Sequence, residues 1–357
     1  MTQSGTSSLS NKSPDRNTRV SRRKFLTTLG VAGIAGAAVT SLPAKAAAAT
    51  PQNAAEPMAT MFDLTKCVGC GACVSACHAR NGHKYPEPEK PFPAMFPDRA
   101  KPADWSSRRD VEDRLTPYNW LTVQQANVTY NGQEYDLNIP RRCMHCDNPL
   151  CANLCPWGAS YKEDSGTVRI DPDICLGGAK CRQACPWNIP QRQTGVGLYL
   201  DIMPRFAGNG VMYKCDRCHD SVKQGEQPAC VEACPYDVQQ IGPRDEIIAK
   251  AKQLAQSISG FIYGLEEAGG TSTVYVSPVP FKLLDMAIKH GKGSPHLKPV
   301  KNALAPQEKL TRALVLAPFA GLAAGTLKMV SVLRNERKTP DTPAEKNSSA
   351  SKGARHE

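Results

Sequence analysis

Cysteine thiols are the side chains of this sequence whose type and spacing could do chemistry. The 357 residues include fifteen cysteines, all of them between positions 67 and 234. They form four closely spaced groups, namely Cys67, Cys70, Cys73 and Cys77; Cys143, Cys146, Cys151 and Cys155; Cys175, Cys181 and Cys185; and Cys215, Cys218, Cys230 and Cys234. Thiolates at such spacings hold iron–sulfur clusters, and in a run like the first group the last thiol binds a neighbouring cluster. The first group therefore predicts a partner group elsewhere in the chain.

Disulfides and zinc are the alternative uses of these cysteines. The odd total and the tight Cys-x-x-Cys and Cys-x-x-x-Cys spacings favour metal ligands over a disulfide framework. Zinc sites seldom place three cysteines at positions i, i+3 and i+6, as the first group does. The net charge of +11 comes largely from the first 46 residues, where seven residues are basic and one is acidic. The remaining excess is small, so no nucleic-acid partner is predicted.

The N-terminal segment has the features of an export signal. Arg22 and Arg23 precede a weakly apolar stretch at 29–39, and Ala44-Lys45-Ala46 matches a small-residue cleavage site. Residues 1–46 are therefore predicted to be a twin-arginine signal peptide, followed by a linker at 47–57. Clusters are inserted in the cytoplasm and the twin-arginine route carries folded proteins. Export by this route would place a cluster protein at the periplasmic face of the inner membrane.

A second apolar segment, residues 313–333, just meets the length of about 20 residues that a bilayer requires. Its single charge, Lys328, lies near its C-terminal end, and a basic cluster at 334–338 follows, which agrees with the positive-inside rule. We predict a C-terminal transmembrane helix that anchors the exported protein, with a disordered tail at 334–357. Pro318 and the moderate hydropathy would also suit an interfacial or core helix.

Strand patterns lie beside the cysteine groups. Residues 58–63 and 273–277 are predicted strands, and Asn131-Gly132 is typical of a hairpin turn. Residues 161–171 combine turn residues with an alternating strand. The long segment 78–142 between the first two cysteine groups is either a surface for partners or a lid that excludes water.

Two further segments follow the fourth cysteine group. Residues 243–258 carry apolar side chains at helical spacing and acidic residues in the first turn. This pattern predicts an amphipathic helix packed on the domain. Residues 278–296 are expected to form an irregular extension over the surface.

The order of cysteine groups and strands predicts the domain organisation. The second and third groups flank a hairpin, which is the layout of one ferredoxin-like unit with two clusters, and the first and fourth groups lie outside it. The sequence therefore predicts an α+β fold of two interleaved double-cluster ferredoxin-like domains, with a C-terminal transmembrane helix. The expected boundaries are 58–80 and 205–260 for the outer domain, 81–135 for an insertion, 136–204 for the inner domain and 261–312 for a C-terminal extension.

These features together resemble a known family, the four-cluster iron–sulfur subunits of membrane-bound respiratory oxidoreductases, and especially the HybA type of periplasmic hydrogenase subunit. The resemblance covers about residues 21 to 335 and implies a non-catalytic electron-transfer subunit. Its expected partners are a periplasmic catalytic subunit of the hydrogenase or formate-dehydrogenase type and an integral membrane quinone-reactive subunit or cytochrome. No nucleotide-binding glycine loop, nucleophile set or metal-hydrolase motif is found in the sequence. A membrane-tethered scaffold, stapled by clusters or zinc and without a redox role, is the alternative.

The resemblance also implies which cysteines share a cluster, because paired groups in this family exchange their last ligands. The implied ligand sets are set A (Cys67, Cys70, Cys73 and Cys234), set B (Cys77, Cys215, Cys218 and Cys230), set C (Cys143, Cys146, Cys151 and Cys185) and set D (Cys155, Cys175 and Cys181). Set D lacks a fourth thiol because Gly178 stands where the family pattern has a cysteine. Three [4Fe–4S] clusters and one [3Fe–4S] cluster are therefore expected. Four [4Fe–4S] clusters, with water or a carboxylate such as Asp171 or Asp173 as the last ligand, are the alternative.

Histidines and tryptophans near the cysteines are expected to surround the clusters rather than to bind iron. His78, His145 and His219 could in principle bind iron, but cysteines already fill the clusters of sets A, B and C, so these histidines are expected to lie beside the thiols or in solvent. Trp157 and Trp187 each follow a Cys-Pro pair. They are expected to pack as an apolar wall that keeps water from the clusters.

Overall fold

Strand β1 (Met58–Asp63), which leads into the first cysteine group, lies inside a four-stranded mixed sheet. The computed structural model describes residues 56–96, 101–205, 210–305 and 327. On one side β1 pairs antiparallel with β8 (Gln239–Pro243), and on the other it pairs parallel with β10 (Thr273–Ser277). Strand β9 (Phe261–Tyr263) completes the sheet in the order β8-β1-β10-β9.

The pairing of β1 with β8 joins the segment before the first cysteine group to the segment after the fourth. The two outer groups therefore belong to one unit, and the second and third groups are threaded between them, as the interleaved arrangement predicts. The predicted strands at 58–63 and 273–277 are confirmed. The domain boundaries given above stay predictions.

The remaining strands of the described residues form three antiparallel pairs. Strands β2 (Thr122–Tyr130) and β3 (Gln133–Arg141) form a long hairpin in which Thr122 lies opposite Arg141. The turn residues Asn131 and Gly132 have φ values of 50° and 78°, which is the twist that the predicted hairpin turn requires. The shorter pairs are β4 (Ser160–Lys162) with β5 (Val168–Ile170) and β6 (Gln191–Gln193) with β7 (Val211–Tyr213).

Short helices carry or follow the cysteines. Helix α1 (Ala72–Asn81) contains the last two cysteines of the first group. The other short helices are α2 (Leu150–Asn153), α3 (Lys180–Ala184), α4 (Tyr199–Ile202), α5 (His219–Lys223) and α6 (Ala229–Glu232). Single-turn 3₁₀ helices occur at Gly82–Lys84 and Glu267–Gly269. Helices this short are stabilised by packing against the rest of the protein rather than by intrinsic helix propensity.

The predicted amphipathic helix is confirmed as α7 (Arg244–Ser257). Its buried residues Ile247, Ala251 and Ala255 pack on the face of the sheet formed by β1 and β10. Acidic residues in its first turn complement the positive end of the helix dipole. The helix thus covers one face of the sheet, and the opposite face borders the main core and the cysteines.

The expectation of an irregular extension at 278–296 is wrong in its central part. Residues Phe281–Ala287 form helix α8, which begins directly after Pro280. Phe281 and Leu284 are buried in the main core together with Ile288. The prolines of this segment suggest a loop, but a proline at the start of a helix costs no hydrogen bond, and burial of apolar side chains then favours the helix.

Helix α8 offers a test of this packing. We expect Leu284→Ala to destabilise the folded protein by about 2–5 kcal/mol, because Leu284 is fully buried and the change leaves a cavity. Met286 on the same helix is 72% exposed, so Met286→Ala should change stability by no more than about 0.5 kcal/mol. Thermal unfolding of both variants measures the difference. Equal midpoints for the two variants would show that α8 is not part of the core.

Several predicted segments lie outside the described residues. They are the signal peptide at 1–46, nearly all of the linker at 47–57, the disordered tail at 334–357 and, apart from Leu327, the transmembrane segment at 313–333. Within the ranges that the structure describes, no helix has both the length and the apolar character needed to cross a membrane.

Candidate metal centres

Cysteines from different groups come together in the folded chain. Cys67, Cys70, Cys73 and Cys234 line one small cavity, in which the start of the first group meets the end of the fourth. Gly69 and Gly71, with φ values of 72° and 75°, let the chain curl around this cavity in a conformation that other residues adopt with strain. All four members of set A therefore face a common space.

The remaining thiols fall into three further clusters, as the charge interactions between them show. Cys77 interacts with Cys215, Cys218 and Cys230. Cys146 interacts with Cys143, Cys151 and Cys185. Cys181 interacts with Cys175 and Cys155 of set D, and more strongly with Cys151 of the neighbouring set C. The structure thus brings together the cysteines of each implied set, while the role of each thiol as an iron ligand stays a prediction.

The four sets follow one another in a row. Cys73 of set A interacts with Cys230 of set B, and Cys215 of set B interacts with Cys143 of set C. Cys181 of set D interacts in turn with Cys151 of set C. The row therefore has the order A, B, C, D. Set A contains the exposed Cys70, while set D contains the half-buried Cys155.

Burial dominates the acid–base behaviour of the thiols. Burial, followed by the effect of neighbouring thiols, raises the pKa of Cys73, Cys181 and Cys185 to about 12. Thiols of this kind keep their protons at neutral pH unless a metal displaces them. Metal binding at these sets should therefore release protons and become more favourable as pH rises.

Backbone N–H groups point at several of these sulfurs. The N–H of Arg217 donates to Cys215 Sγ at 3.3 Å, and the N–H of Gly69 donates to Cys67. Cys175 accepts from Gly177 and Met212 in the same way. Such donors stabilise a thiolate and tune the potential of a cluster bound to it, so the donor set fits iron–sulfur clusters.

Gly178 leaves set D open on one side. A Cβ atom built on Gly178 would meet no atom within 4 Å, and its backbone is not in the left-handed region. Of the two carboxylates proposed as an alternative ligand, Asp171 interacts with Cys175 of set D. Asp173 is exposed, and its N–H donates to Asp171 Oδ1 at 2.9 Å. The alternative of a carboxylate ligand therefore rests on Asp171.

Buried cations beside the middle of the row were not predicted. Arg142, Lys214 and Arg217 are all less than a tenth exposed. Burial and the charge of Arg142 lower the pKa of Arg217 to about 9. Each of the three directly precedes a cysteine in the sequence, and this is the signal that could have indicated them. They add positive charge where sets B and C meet.

The histidines lie where they were expected. His145 is fully buried, its Nδ1 accepts from the N–H of Val168 at 3.0 Å, and its Nε2 lies 4.0 Å from Cys215 Sγ. His78 pairs with Asn119, and His219 lies 3.5 Å from Glu163. His145 therefore borders set B, and the other two contact polar side chains.

The expectation for the tryptophans holds for one of them. Trp187 is buried and donates to the hydroxyl of Tyr263 at 2.8 Å. Trp157 is 56% exposed, so its predicted packing as part of an apolar wall is wrong. The short turn after Cys155 directs the side chain of Trp157 toward solvent.

Among the described residues, no three His, Cys, Asp or Glu side chains are grouped closely enough to hold one metal ion. The thiols of each set therefore lie near one another without forming a site for a single ion.

The chain has four sets of thiols, and its second and third cysteine groups are threaded between the first and the fourth. This arrangement is that of ferredoxin-type iron–sulfur proteins. Comparison with known proteins agrees with this class. Two models, each described as a 4Fe-4S dicluster domain, match residues 66–159 and 135–244. Together they cover all four cysteine groups.

Similar proteins identify the family. The chain is 32% identical over 270 residues to a protein of Nitratidesulfovibrio vulgaris, covering 74% of this chain and 66% of that protein. It is 29% identical to the hydrogenase-2 operon protein HybA of Escherichia coli O157:H7 over 75% of this chain and 84% of HybA. It is 32% identical to the probable anaerobic dimethyl sulfoxide reductase chain YnfG of Escherichia coli K12, over 54% of this chain and 77% of YnfG. The chain belongs to the family of ferredoxin-type iron–sulfur electron-transfer subunits of oxidoreductase complexes, and it is not a catalytic subunit.

Proposed function

We propose that this chain relays electrons, one at a time, between a periplasmic catalytic subunit and a membrane subunit that exchanges electrons with quinone. The observation that carries the proposal is the row of four cysteine sets, whose two ends, sets A and D, contain thiols that are not fully buried. Inside the row, all four thiols of set B are buried, while set C also contains half-buried thiols. A row with an accessible set at each end suits passage of electrons from one partner to another. A scaffold would not need such a row.

The proposed cofactors are three [4Fe–4S] clusters in sets A, B and C and one [3Fe–4S] cluster in set D. Iron–sulfur clusters supply reversible one-electron chemistry at potentials that the surrounding protein sets. The protein would hold each position with thiols from two cysteine groups, donates N–H groups to several of the sulfurs, and buries all four thiols of set B. The absence of a side chain at Gly178 is the reason for the three-iron assignment.

Both ends of the row carry exposed apolar side chains that would suit partner subunits. Leu154 and Trp157 flank Cys155 of set D, and Val68 and Tyr236 flank set A, each at least half exposed. The similarity to the hydrogenase-2 operon protein HybA supports a hydrogenase as the catalytic partner, with a formate-dehydrogenase type of enzyme as the other candidate. We place the protein at the periplasmic face of the inner membrane, exported by the twin-arginine route and anchored by residues 313–333.

A deletion experiment tests the relay. Membranes from cells that lack this chain should still reduce a soluble dye with hydrogen or formate, because the catalytic partner acts on its own. They should lose the reduction of quinone with the same donor. Restoring the chain should restore quinone reduction. Quinone reduction at the normal rate in the deletion strain would contradict the proposal.

Export offers a separate test. The change of Arg22 and Arg23 together to Lys should stop periplasmic accumulation, because the arginine pair is recognised by a receptor rather than by charge alone. The matched control changes Arg16 and Arg19 to Lys, which alters the same number of arginines outside the pair and should leave export intact. Immunoblots of periplasmic and cytoplasmic fractions measure the result. Normal export of the first variant would exclude the twin-arginine route.

A further inference from the structure

Arg142 is a buried cation that is next to Cys143 of set C in the sequence, but its guanidinium faces set B. It follows β3, precedes Cys143 of set C, and is 1% exposed. Its Nη1 nevertheless donates to Cys230 Sγ of set B at 3.3 Å. The plane of the guanidinium lies over the ring of Phe62, 5.1 Å from Cζ to the ring centroid. Packing on Phe62 thus holds the charge against set B.

The charge of Arg142 has no carboxylate partner in the part of the chain that the structure describes. None of the ion pairs found there includes Arg142, and its Nε and Nη2 have no hydrogen-bond partner. An arginine keeps its proton in proteins, and a buried charge without a partner is strongly destabilising. The groups with the largest favourable effect on its charge are the thiols of Cys230 and Cys215, which become anionic when they bind metal. The site is therefore electrostatically incomplete without an anionic group at set B.

Lys214 and Arg217, the other buried cations beside sets B and C, donate to carbonyl oxygens. The guanidinium of Arg217 donates to the carbonyl oxygens of Met58 and Ser272. The ammonium of Lys214 donates to the carbonyl oxygens of Val168 and Cys215. Arg142 is thus the one of the three whose side chain donates to a sulfur.

We propose that Arg142 is the fixed counter-charge of the cluster held by set B and that it raises the reduction potential of this cluster. The inference rests on the proposed cluster assignment. One-electron reduction adds one negative charge in the space that the four thiols enclose, and no bond forms or breaks. A fixed positive charge in a buried site attracts the reduced state more strongly than the oxidised state. At Cys73 of set A, burial and other thiols shift the pKa, and no cation is among the causes.

The test is a potentiometric titration of the purified full-length protein, followed by electron paramagnetic resonance. The signal of set B is identified as the one that disappears in Cys77→Ala. At a fixed potential near its midpoint, Arg142→Gln should lower the ratio of reduced to oxidised set B about tenfold. This change corresponds to a shift of about 59 mV to lower potential for a one-electron couple. The midpoints of the other clusters should move much less, because Arg142 contacts a thiol of set B.

Two further variants separate charge from packing. Arg142→Lys keeps the positive charge and should keep a midpoint close to that of the unmodified protein. Arg141 is equally buried, lies over the ring of Tyr275 at 5.0 Å, and donates to the carbonyl oxygen of His296. Among the described residues, no hydrogen bond from Arg141 to a thiol is found, so Arg141→Gln should leave the set B midpoint unchanged. A loss of the set B cluster in Arg142→Gln but not in Arg142→Lys would equally support a required counter-charge.

The results that overturn the inference are distinct from those that overturn the proposed function. An unchanged midpoint in Arg142→Gln, with all signals present, overturns the counter-charge and leaves the relay intact. An equal shift in Arg141→Gln, or loss of the set B cluster in both Arg142 variants, also overturns it. An unmodified protein without any cluster signal overturns the cluster assignment and the inference together.

Discussion

Gly178→Cys should convert the cluster of set D from three irons to four. Gly178 lies three residues after Cys175, the spacing that separates Cys67 from Cys70 in set A. A Cβ atom at this position meets no neighbour within 4 Å and requires no strained backbone, so the site has room for the start of a cysteine side chain. An oxidised three-iron cluster has half-integer spin and gives a resonance near the free-electron position, whereas an oxidised four-iron cluster is silent. The signal of the oxidised protein should therefore disappear in the variant.

The same change should lower the reduction potential of set D, because an added thiolate contributes negative charge and stabilises the oxidised form. Gly178→Ser is the matched control. It fills the same space without supplying a thiol, so the oxidised signal should persist. If the unmodified protein is silent when oxidised and binds about sixteen irons, the three-iron assignment is wrong. Asp171 would then be the first candidate for the fourth ligand, and Asp171→Asn would test it.

Cys73→Ala and Cys77→Ala should abolish different clusters although the two thiols lie one turn apart on α1. Both are buried. Cys73 interacts with Cys67 and Cys234, and Cys77 interacts with Cys215 and Cys218. The first variant should lose the signal of set A and the second the signal of set B. Each should also lose up to about four irons per chain.

Electron transfer should respond to Cys77→Ala in particular. Set B lies between sets A and C, so its loss interrupts the row and quinone reduction in membranes should fall to background. Cys70 of set A is exposed at one end of the row, whereas Cys77 of set B is buried inside it. The change therefore tests whether a set inside the row is required for electron transfer. Loss of the same signal in Cys73→Ala and Cys77→Ala would contradict the exchange of ligands between the first and fourth groups.

Local patterns in the sequence predicted the parts of the fold that local physics decides. The turn at Asn131-Gly132 requires positive φ at both positions, and these residue types tolerate it. Helix α7 follows the spacing of Ile247, Ala251 and Ala255. The short cysteine spacings predicted iron–sulfur sites, whereas the division of the cysteines into sets A to D came from the resemblance to the four-cluster family.

Tertiary contacts decided what the sequence did not reveal. Helix α8 is stabilised by burial of Phe281 and Leu284 in the main core, which no local pattern beside Pro280 indicates. Trp157 follows a Cys-Pro pair as Trp187 does, yet one is exposed and the other buried. The direction of Arg142 toward set B depends on Phe62, which is far away in the sequence. Such contacts join residues distant in the chain, so spacing alone could not predict them.

Iron and acid-labile sulfide in the purified full-length protein test the central claim most directly. Three [4Fe–4S] clusters and one [3Fe–4S] cluster amount to about fifteen irons per chain, accompanied by a similar amount of sulfide. The protein should be prepared without oxygen and analysed for iron, sulfide and zinc on the same sample. Close to fifteen irons with matching sulfide is the predicted result. Zinc bound without sulfide would contradict the account, because a chain of that composition could not carry electrons.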